Sequence, residues 1–598
     1  MNLDLKNQNS FLEITQPPAG YQLTYCIGTT FTLQIECVVQ LAIAARGSVY
    51  SGIKMSRPEA LETLQRFQER TVIFCQSCRI KEFRSEDKAQ FSPEFRSFYR
   101  ILDDVVLVIP APGAQGSFHP KVWLLRFDGD RGAEPIFKLV VATRNLTTDM
   151  SWDAMVVLHG SQVEASTSRN TAVIQFFSSL LKNTKEHGRK AKKLLTRALS
   201  DLRSTEFASP FNAGEGAFDF QWPSLRKFQH LDFSGYESLV VLSPFLSEST
   251  VKEAASSRKH FYLVTAEQCL SELTNVKSVW DKTYLMNSEK MGLHAKIYVG
   301  RRTKKSPTEI VIGSPNLTVS GLRGGNIEAA YRMLAPQGYF DEFVEGFIQA
   351  GEEGGTAPWL NKFDPSMLEQ SSDVNQEIED NFDKIKNQIA QGVFELKYER
   401  RVSQVTVAFR SSEEIKVPAG YKLFVRMFGH PEEFQFTELL SAKGIRFRAP
   451  LSEVNFFLCI RISKGSLSDE FWTVAEGQLD RRSRNAIVTR HCIDNWNSFL
   501  SYLNSLLDLS QDVGGFQTHI QNHDGVAGGR SRRMLMSHQP QILERFLLNV
   551  KLDDSIAERL EDALAGLPTG STEESDREQF ELFWKNYRAA SMKLKRVG

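Results

Sequence analysis

Two histidine–lysine pairs are placed where chemistry is possible. His119 and Lys121 open the apolar run Val-Trp-Leu-Leu, and His294 and Lys296 open Ile-Tyr-Val-Gly. On a β-strand, residues i and i+2 point to one face, so each His projects beside its Lys. An imidazole serves near neutral pH as nucleophile or as acid, and a neighbouring ammonium supplies positive charge and donors. Burying such charge without a partner is costly, so its presence at apolar strand ends asks for a reason.

The two copies agree beyond the pairs. Leu-Val-Val precedes Ala142-Thr143-Arg144-Asn145-Leu-Thr147, and Ile-Val-Ile precedes Gly313-Ser314-Pro-Asn316-Leu-Thr318. Each Asn follows its His by a similar interval, 26 residues in the first copy and 22 in the second. A polar hairpin tip returns the chain, which brings Asn145 or Asn316 beside the pair. A carboxylate comes next in both, Asp153 after Trp152 and Glu328 in Asn326-Ile-Glu328.

The elements needed to hold these residues are legible. Tyr21–Ile27 reads as a strand, and Thr29 and Thr30 as cap candidates for a helix over Phe31–Ala45. Strands follow at Thr71–Cys75 and Val105–Ile109. A helix over Asn170–Leu181 runs into the basic stretch Lys182–Arg197. After a connector at 203–235 the pattern restarts with strand Ser238–Leu242, helix Glu248–Ser256 and strand Phe261–Val264. Tyr339–Ala350 reads as a closing helix. This alternation predicts a mixed or mostly parallel sheet covered by helices in each half. Gly351–Pro358 is a linker by composition, and Ser372–Tyr398 has helical spacing. Residues 403–476 alternate like strands of a small β module, and helices return from Asn495. The expected units are 1–205, 206–352, 353–400, 401–478 and 479–598.

Composition narrows the class. Lys plus Arg total 72 and Asp plus Glu total 72, so no global field draws the chain to a polyanion. Of seven cysteines only Cys75 and Cys78 form C-x-x-C, and they read as buried thiols without a second pair to complete a zinc site. His519 and His523 lie in the Gly-rich stretch Val513–Gly529 with only Asp524 nearby, so no metal and no cofactor is expected. Met1–Pro17 is mostly polar and no run of about 18 apolar residues occurs, which points to a soluble cytoplasmic protein without stable membrane association. No Walker A pattern is present, so any motor is another chain.

The paired His-x-Lys…Gly-Ser-x-Asn…Asn-x-Glu pattern resembles the phospholipase D superfamily, over about residues 20–350. The resemblance implies an α/β fold of two similar lobes forming one pseudo-dimeric catalytic unit, here with a C-terminal β-rich module and a helical tail. It also implies a mechanism. One of His119 and His294 attacks phosphorus while the other protonates the leaving oxygen and later activates water. Lys121, Lys296, Asn145 and Asn316 stabilise the phosphorane, and Glu328 orients a catalytic His, with Asp153 as its first-half equivalent. Thr143 and Ser314 line the cleft. The superfamily pattern has an Asp five residues after the Lys; this chain has Arg126 and Arg301 there, which directs the reading away from the lipid-acting members and toward nuclease-like ones.

The expected function is therefore metal-independent phosphodiester cleavage, of DNA before RNA, in bacterial genome defence and alongside a separate helicase or ATPase. Basic residues set beside the motifs, Arg144, Arg301, Arg302, Lys304 and Lys305, are the candidates for nucleic-acid contact. Further clusters lie at Lys182–Arg197, Lys443–Arg448, Arg481–Arg484 and Arg530–Arg533. The competing readings are a silent nucleic-acid-binding or scaffold protein of the same fold and a lipid phosphodiesterase.

Overall fold

The computed structural model describes residues 11–47, 55–81, 97–507, 554–567 and 574–597, apart from short internal stretches. The glycine-rich stretch with His519 and His523, the cluster Arg530–Arg533, and Lys443 lie outside the described residues.

Two sheets carry the site. The first is built from β1 (Tyr21–Thr30), β2 (Thr71–Gln76), β3 (Val106–Ile109), β4 (Val122–Gly129), β5 (Ile136–Ala142), β6 (Met155–Gln162) and β7 (Thr205–Phe207), in the order β7-β6-β5-β4-β1-β2-β3. The second is built from β8 (Ala217–Gln221), β9 (Ser238–Leu242), β10 (His260–Thr265), β11 (Thr283–Met286), β12 (Ile297–Arg301), β13 (Thr308–Gly313), β14 (Glu328–Ala335) and β15 (Leu360–Lys362), in the order β8-β14-β13-β12-β9-β10-β11-β15. Their senses match strand for strand. β1, β2 and β3 run parallel, as do β9, β10 and β11, while β4-β5-β6 and β12-β13-β14 are antiparallel meanders. Each meander joins its parallel half through β1–β4 or β9–β12. The second sheet adds β15 at its edge.

Burial explains the local choices. β2 is wholly buried and β9 likewise, which suits the near-continuous apolar runs of strands covered on both faces. The side chains of β1 divide between cores: Tyr25 and Ile27 face a core shared with Val240, Leu242 and Ile297 of the second sheet, while Cys26 and, beyond a register shift before Tyr25, Leu23 face the opposite side. The sheets meet where β5 and β6 lie against β13 and β14. The helix Arg57–Arg70 leading into β2 starts at Ser56, which forms a capping box with Glu59, and Pro58 sits in its first turn.

Several elements differ from the sequence expectation, each for a local reason. Thr29 and Thr30 end β1 rather than cap a helix, because their hydroxyls bond the neighbouring segments at Val122 and Leu146. The helix starts later, at Ile35–Ala45. The run through Lys182–Arg197 is two helices, Thr171–Asn183 and Arg189–Leu202. The 203–235 connector donates an edge strand to each sheet, β7 to the first and β8 to the second. Ser372–Tyr398 is a helix only over Val374–Ile389; the chain turns at Gly392, whose N–H bonds the carbonyl of Ile389, and continues as strand Val393–Glu399.

The C-terminal part forms two further sheets. One places Leu467–Val474, Phe457–Lys464, Tyr421–Met427 and Phe434–Gln435 beside Ile80–Lys81 and Leu33–Gln34 of the N-terminal half. The other comprises Ile445–Arg448, Gln404–Arg410, Val393–Glu399 and Glu476–Gln478. Their apolar residues, among them Phe394, Phe457 and Trp472, share one core with Val38, Leu61 and Phe98 and with Phe499 and Leu560 of the late helices. No helix among the described residues is long and apolar enough to cross a membrane.

Candidate active site

The two His-x-Lys segments enter the site along backbone bridges between the sheets' connecting segments. Phe118 pairs in parallel with Ile327; the His119 N–H donates to the Ile327 carbonyl at 2.9 Å and the Ile327 N–H to Ser117 at 2.8 Å. In the other copy Gly292–Leu293 pairs in parallel with Ser151–Trp152, and the His294 N–H donates to the Trp152 carbonyl at 3.0 Å. Gly116 is needed for the first bridge, since a Cβ there would sit 2.3 Å from the Gly325 carbonyl oxygen.

These bridges set each histidine beside a carboxylate of the opposite half. His119 Nδ1 lies 3.0 Å from Glu328 Oε2, and His294 Nδ1 lies 3.0 Å from Asp153 Oδ1. Glu328 is fully buried and is held by the Asn326 amide at 2.9 Å and by the Ser314 hydroxyl. Asp153 accepts from the Thr143 hydroxyl at 3.1 Å and the Ser151 hydroxyl at 2.7 Å. A neutral imidazole that gives its Nδ1 proton to a carboxylate keeps Nε2 as the basic nitrogen.

Lys121 and Lys296 are completely buried, and each ammonium reaches back to its own histidine's carbonyl, Lys121 at 2.7 Å. Lys296 Nζ also lies 3.3 Å from His294 Nδ1. Burial and the neighbouring ammonium groups depress both imidazoles, His119 to about 4, although Glu328 and Asp153 oppose this. Burial likewise pushes Lys296 down to about 7, and burial together with Lys296 pushes Lys121 well below its usual range. Burial acts to raise Glu328 and Asp153, but hydrogen bonds and the charges of the facing histidines and lysines outweigh it and hold both below the ordinary carboxylate range. The resting cluster is thus neutral imidazoles flanked by carboxylates and by two lysines whose hold on their protons is weakened.

Asn145 and Asn316 follow Thr143 and Ser314 by two residues, and each has a buried amide oxygen without a hydrogen-bond partner. Turning either amide by half a rotation presents its NH2 at the same place. The backbone holding them is fixed by residues that the sequence reading passed over as site elements. The Thr30 hydroxyl accepts the Leu146 N–H at 3.0 Å, and the Ser243 hydroxyl accepts the Leu317 N–H at 2.9 Å. Ser151 and Asn326 were missed as ligands of the carboxylates, and Phe31 as an edge-on neighbour of His119 at 5.1 Å. Superposing the two sequence copies would have found Thr30 and Ser243, since one hydroxyl ends β1 and the other directly follows the matching strand β9.

The basic candidates fare differently. Arg144 contacts Asp153 at 3.4 Å rather than standing clear at the cleft. Arg301 is buried at the far end of β12, roughly 16 Å along the strand from Lys296, where it pairs with Asp341 at 2.5 Å. Arg302 pairs with Glu309, and exposed Lys304 and Lys305 sit on the same distant hairpin tip. The hairpin therefore points its positive charge away from the site, because the catalytic residues occupy the other end of both strands. Lys190 of the basic run is bound to Asp104, and Arg481 and Arg484 to Asp103. Arg446 and Arg448 are exposed on one face of their strand.

Among the described residues, no group of three or more His, Cys, Asp or Glu side chains is placed to hold a metal ion. All seven cysteines are buried and none forms a disulfide, and burial raises the Cys78 thiol to about 12, which makes it unreactive.

The sequence matches no protein-family model and no curated protein. Among solved structures, a yeast tyrosyl-DNA phosphodiesterase is similar at 13% identity and a TM-score of 0.36, over 53% of this chain and 84% of that one. A polyphosphate kinase from Porphyromonas gingivalis is similar at 11% identity and a TM-score of 0.33, over 63% of this chain and 50% of that one. At this distance the functional argument rests on the geometry of the site itself.

Proposed function

We propose that the chain is a phosphodiesterase that works through a phosphohistidine, with its two α/β lobes forming one pseudo-dimeric site. The observation that carries this is the crossed pairing: each histidine takes its carboxylate from the other lobe, with two buried lysines and two amides beside them. His119 is the nucleophile in this reading. Its side chain is the more enclosed, 11% exposed against 20% for His294, and Phe31 packs on its ring. His119 Nε2 attacks phosphorus, the bond from phosphorus to the leaving oxygen breaks, and His294 gives that oxygen its Nε2 proton. His294, now neutral, takes a proton from water, whose oxygen attacks phosphorus and breaks the P–N bond. The incoming phosphate charge raises the imidazole that must act as acid, while Lys121, Lys296, Asn145 and Asn316 donate to the equatorial oxygens. These donors do the work of charge stabilisation that a metal does in other phosphodiesterases.

The substrate class we favour is nucleic acid, DNA first, although the hairpin charges do not contribute to it. The deciding measurement is cleavage of single- and double-stranded DNA and RNA in excess EDTA. His119→Ala and His294→Ala each abolish it, and His294→Asn accumulates an adduct on His119. Cleavage that survives either alanine variant sinks the assignment.

A further inference from the structure

The two carboxylates have matched supports, with one exception. Thr143 corresponds to Ser314, and Ser151 on Asp153 corresponds to Asn326 on Glu328. Arg144 has no counterpart, since Pro315 occupies its place in the second copy. Its Nη1 lies 3.4 Å from Asp153 Oδ2, while Nη2 donates to the Thr147 carbonyl at 3.1 Å and to the Asp149 carbonyl. The guanidinium thus shares the charge of Asp153 and clamps the turn that leads back to it. Only His294 is affected directly, because Asp153 is its partner and Glu328 has no cation bonded to it beyond His119 among the described contacts.

We propose that Arg144 is a positioning residue that sets the acidity of His294: by drawing on Asp153 it keeps the His294 imidazolium ready to release its proton to the leaving oxygen. This deepens the phosphodiesterase reading and rests on it. The other groups acting on His294 are Asp153 itself, Lys296, Lys121 and the nearby Asp149. All of them stay in the chain when 144 is substituted, and Arg144→Lys, which loses the clamp on the Asp149 carbonyl but keeps the charge, separates charge from turn geometry. The asymmetry also gives the duplicated site a direction. One half carries a tuned acid and the other an untuned nucleophile, although the two His-x-Lys segments are alike.

The test is a histidine titration of the full chain by NMR with 13Cε1-labelled imidazoles, the His294 signal being identified by its loss in His294→Asn. In Arg144→Gln the His294 pKa rises by about half to one unit, while Arg144→Lys, which keeps the charge and loses the fork, leaves it near the wild-type value. With a cleaved phosphodiester in hand, Arg144→Gln lowers kcat about tenfold, leaves KM within about twofold, and moves the His294 limb of the pH profile to higher pH. An unmoved His294 titration in Arg144→Gln overturns the proposal. So does a raised KM with an unmoved pH profile, which makes Arg144 a ligand of the substrate phosphate. A shift in Arg144→Lys as large as in Arg144→Gln also overturns it, since charge would not be the cause. Absence of any phosphodiester cleavage by the wild type defeats the functional reading, and the titration still decides the role of Arg144.

Discussion

Glu328 does for His119 what only a charged acceptor can do. In the proposed reaction its carboxylate accepts the Nδ1 proton and so leaves Nε2 free to attack. A Gln at 328 offers an NH2 toward Nδ1 and favours the opposite tautomer, with the proton on the attacking nitrogen. Glu328→Gln is therefore expected to lower kcat by about 10⁴ with little change in fold, measured as turnover of a chromogenic phosphodiester against a thermal melt. The pH dependence belongs to the same residues. Protonation of His119 near 4 sets the acid limb of kcat/KM, and loss of the His294 proton, followed by loss of the Lys296 charge near 7, sets the alkaline limb. The expected profile is a bell with its maximum on the acidic side of neutrality, and kcat holds to higher pH because bound phosphate stabilises the ammonium charge. An alkaline limb near the ordinary lysine value of 10.5 would remove Lys296 from the essential groups. The sign for folding is fixed as well. His119, His294, Lys121, Lys296, Asp153 and Glu328 all have folded values below their ordinary ones, so the unfolded chain binds more protons. Their joint contribution to stability rises with pH: His119 contributes fully above 6.5 and loses this as pH falls toward 4, and Lys296 loses its share between 10.5 and about 7.

Strand ends decide where the catalytic amides sit. Thr30 ends β1, Ser243 follows the matching strand β9, and each holds the N–H after the candidate Asn. Ser243→Ala leaves the buried Leu317 N–H unpaired, at a cost of about 1–3 kcal/mol in urea unfolding, and frees Asn316, so activity falls further than stability does. Thr30→Val does the same at Leu146 with little change in side-chain volume. The candidate residues of the site were legible because their types and spacing recur twice, which needs no knowledge of the fold. The supports were hidden because Thr30 and Ser243 are distant in sequence from the amides they hold, and only strand pairing joins them. The crossed partnership of His119 with Glu328, and of His294 with Asp153, was equally invisible, since sequence order suggests that each half serves itself. Arg126 and Arg301 were seen as departures from the superfamily pattern; their pairing with Asp201 and Asp341 places the cation on the strand and the anion on the helical segment in both halves.

Across the whole molecule, the C-terminal region is packed into the first half rather than appended to it. The strand character of 403–476 was readable from alternation, but its extension by Leu33–Gln34 and Ile80–Lys81 was not, because two-residue strands leave no periodic trace. Arg484 and Asp103, both without solvent exposure, form a two-pronged ion pair at 2.6 and 3.0 Å that ties a late helix to the segment before β3. Arg484→Met leaves the Asp103 charge buried without this partner and is expected to cost about 3–5 kcal/mol in urea unfolding, with the pH profile of the remaining folded enzyme unmoved. A shifted profile would mean that the late helices reach the catalytic groups.

On the proposed function, the crossed carboxylates also govern when a growing chain becomes active. A nascent polypeptide that has folded only its first sheet carries His119 without Glu328, and Asp153 without His294. Neither imidazole has its proton placed, and half of the lysines and amides are still inside the ribosome. In the proposed reading competence needs both dockings, residue 328 beside residue 119 and residue 294 beside residue 153. A product truncated before residue 294 lacks both crossed partners, so in the proposed reading the order of synthesis acts as a safety catch.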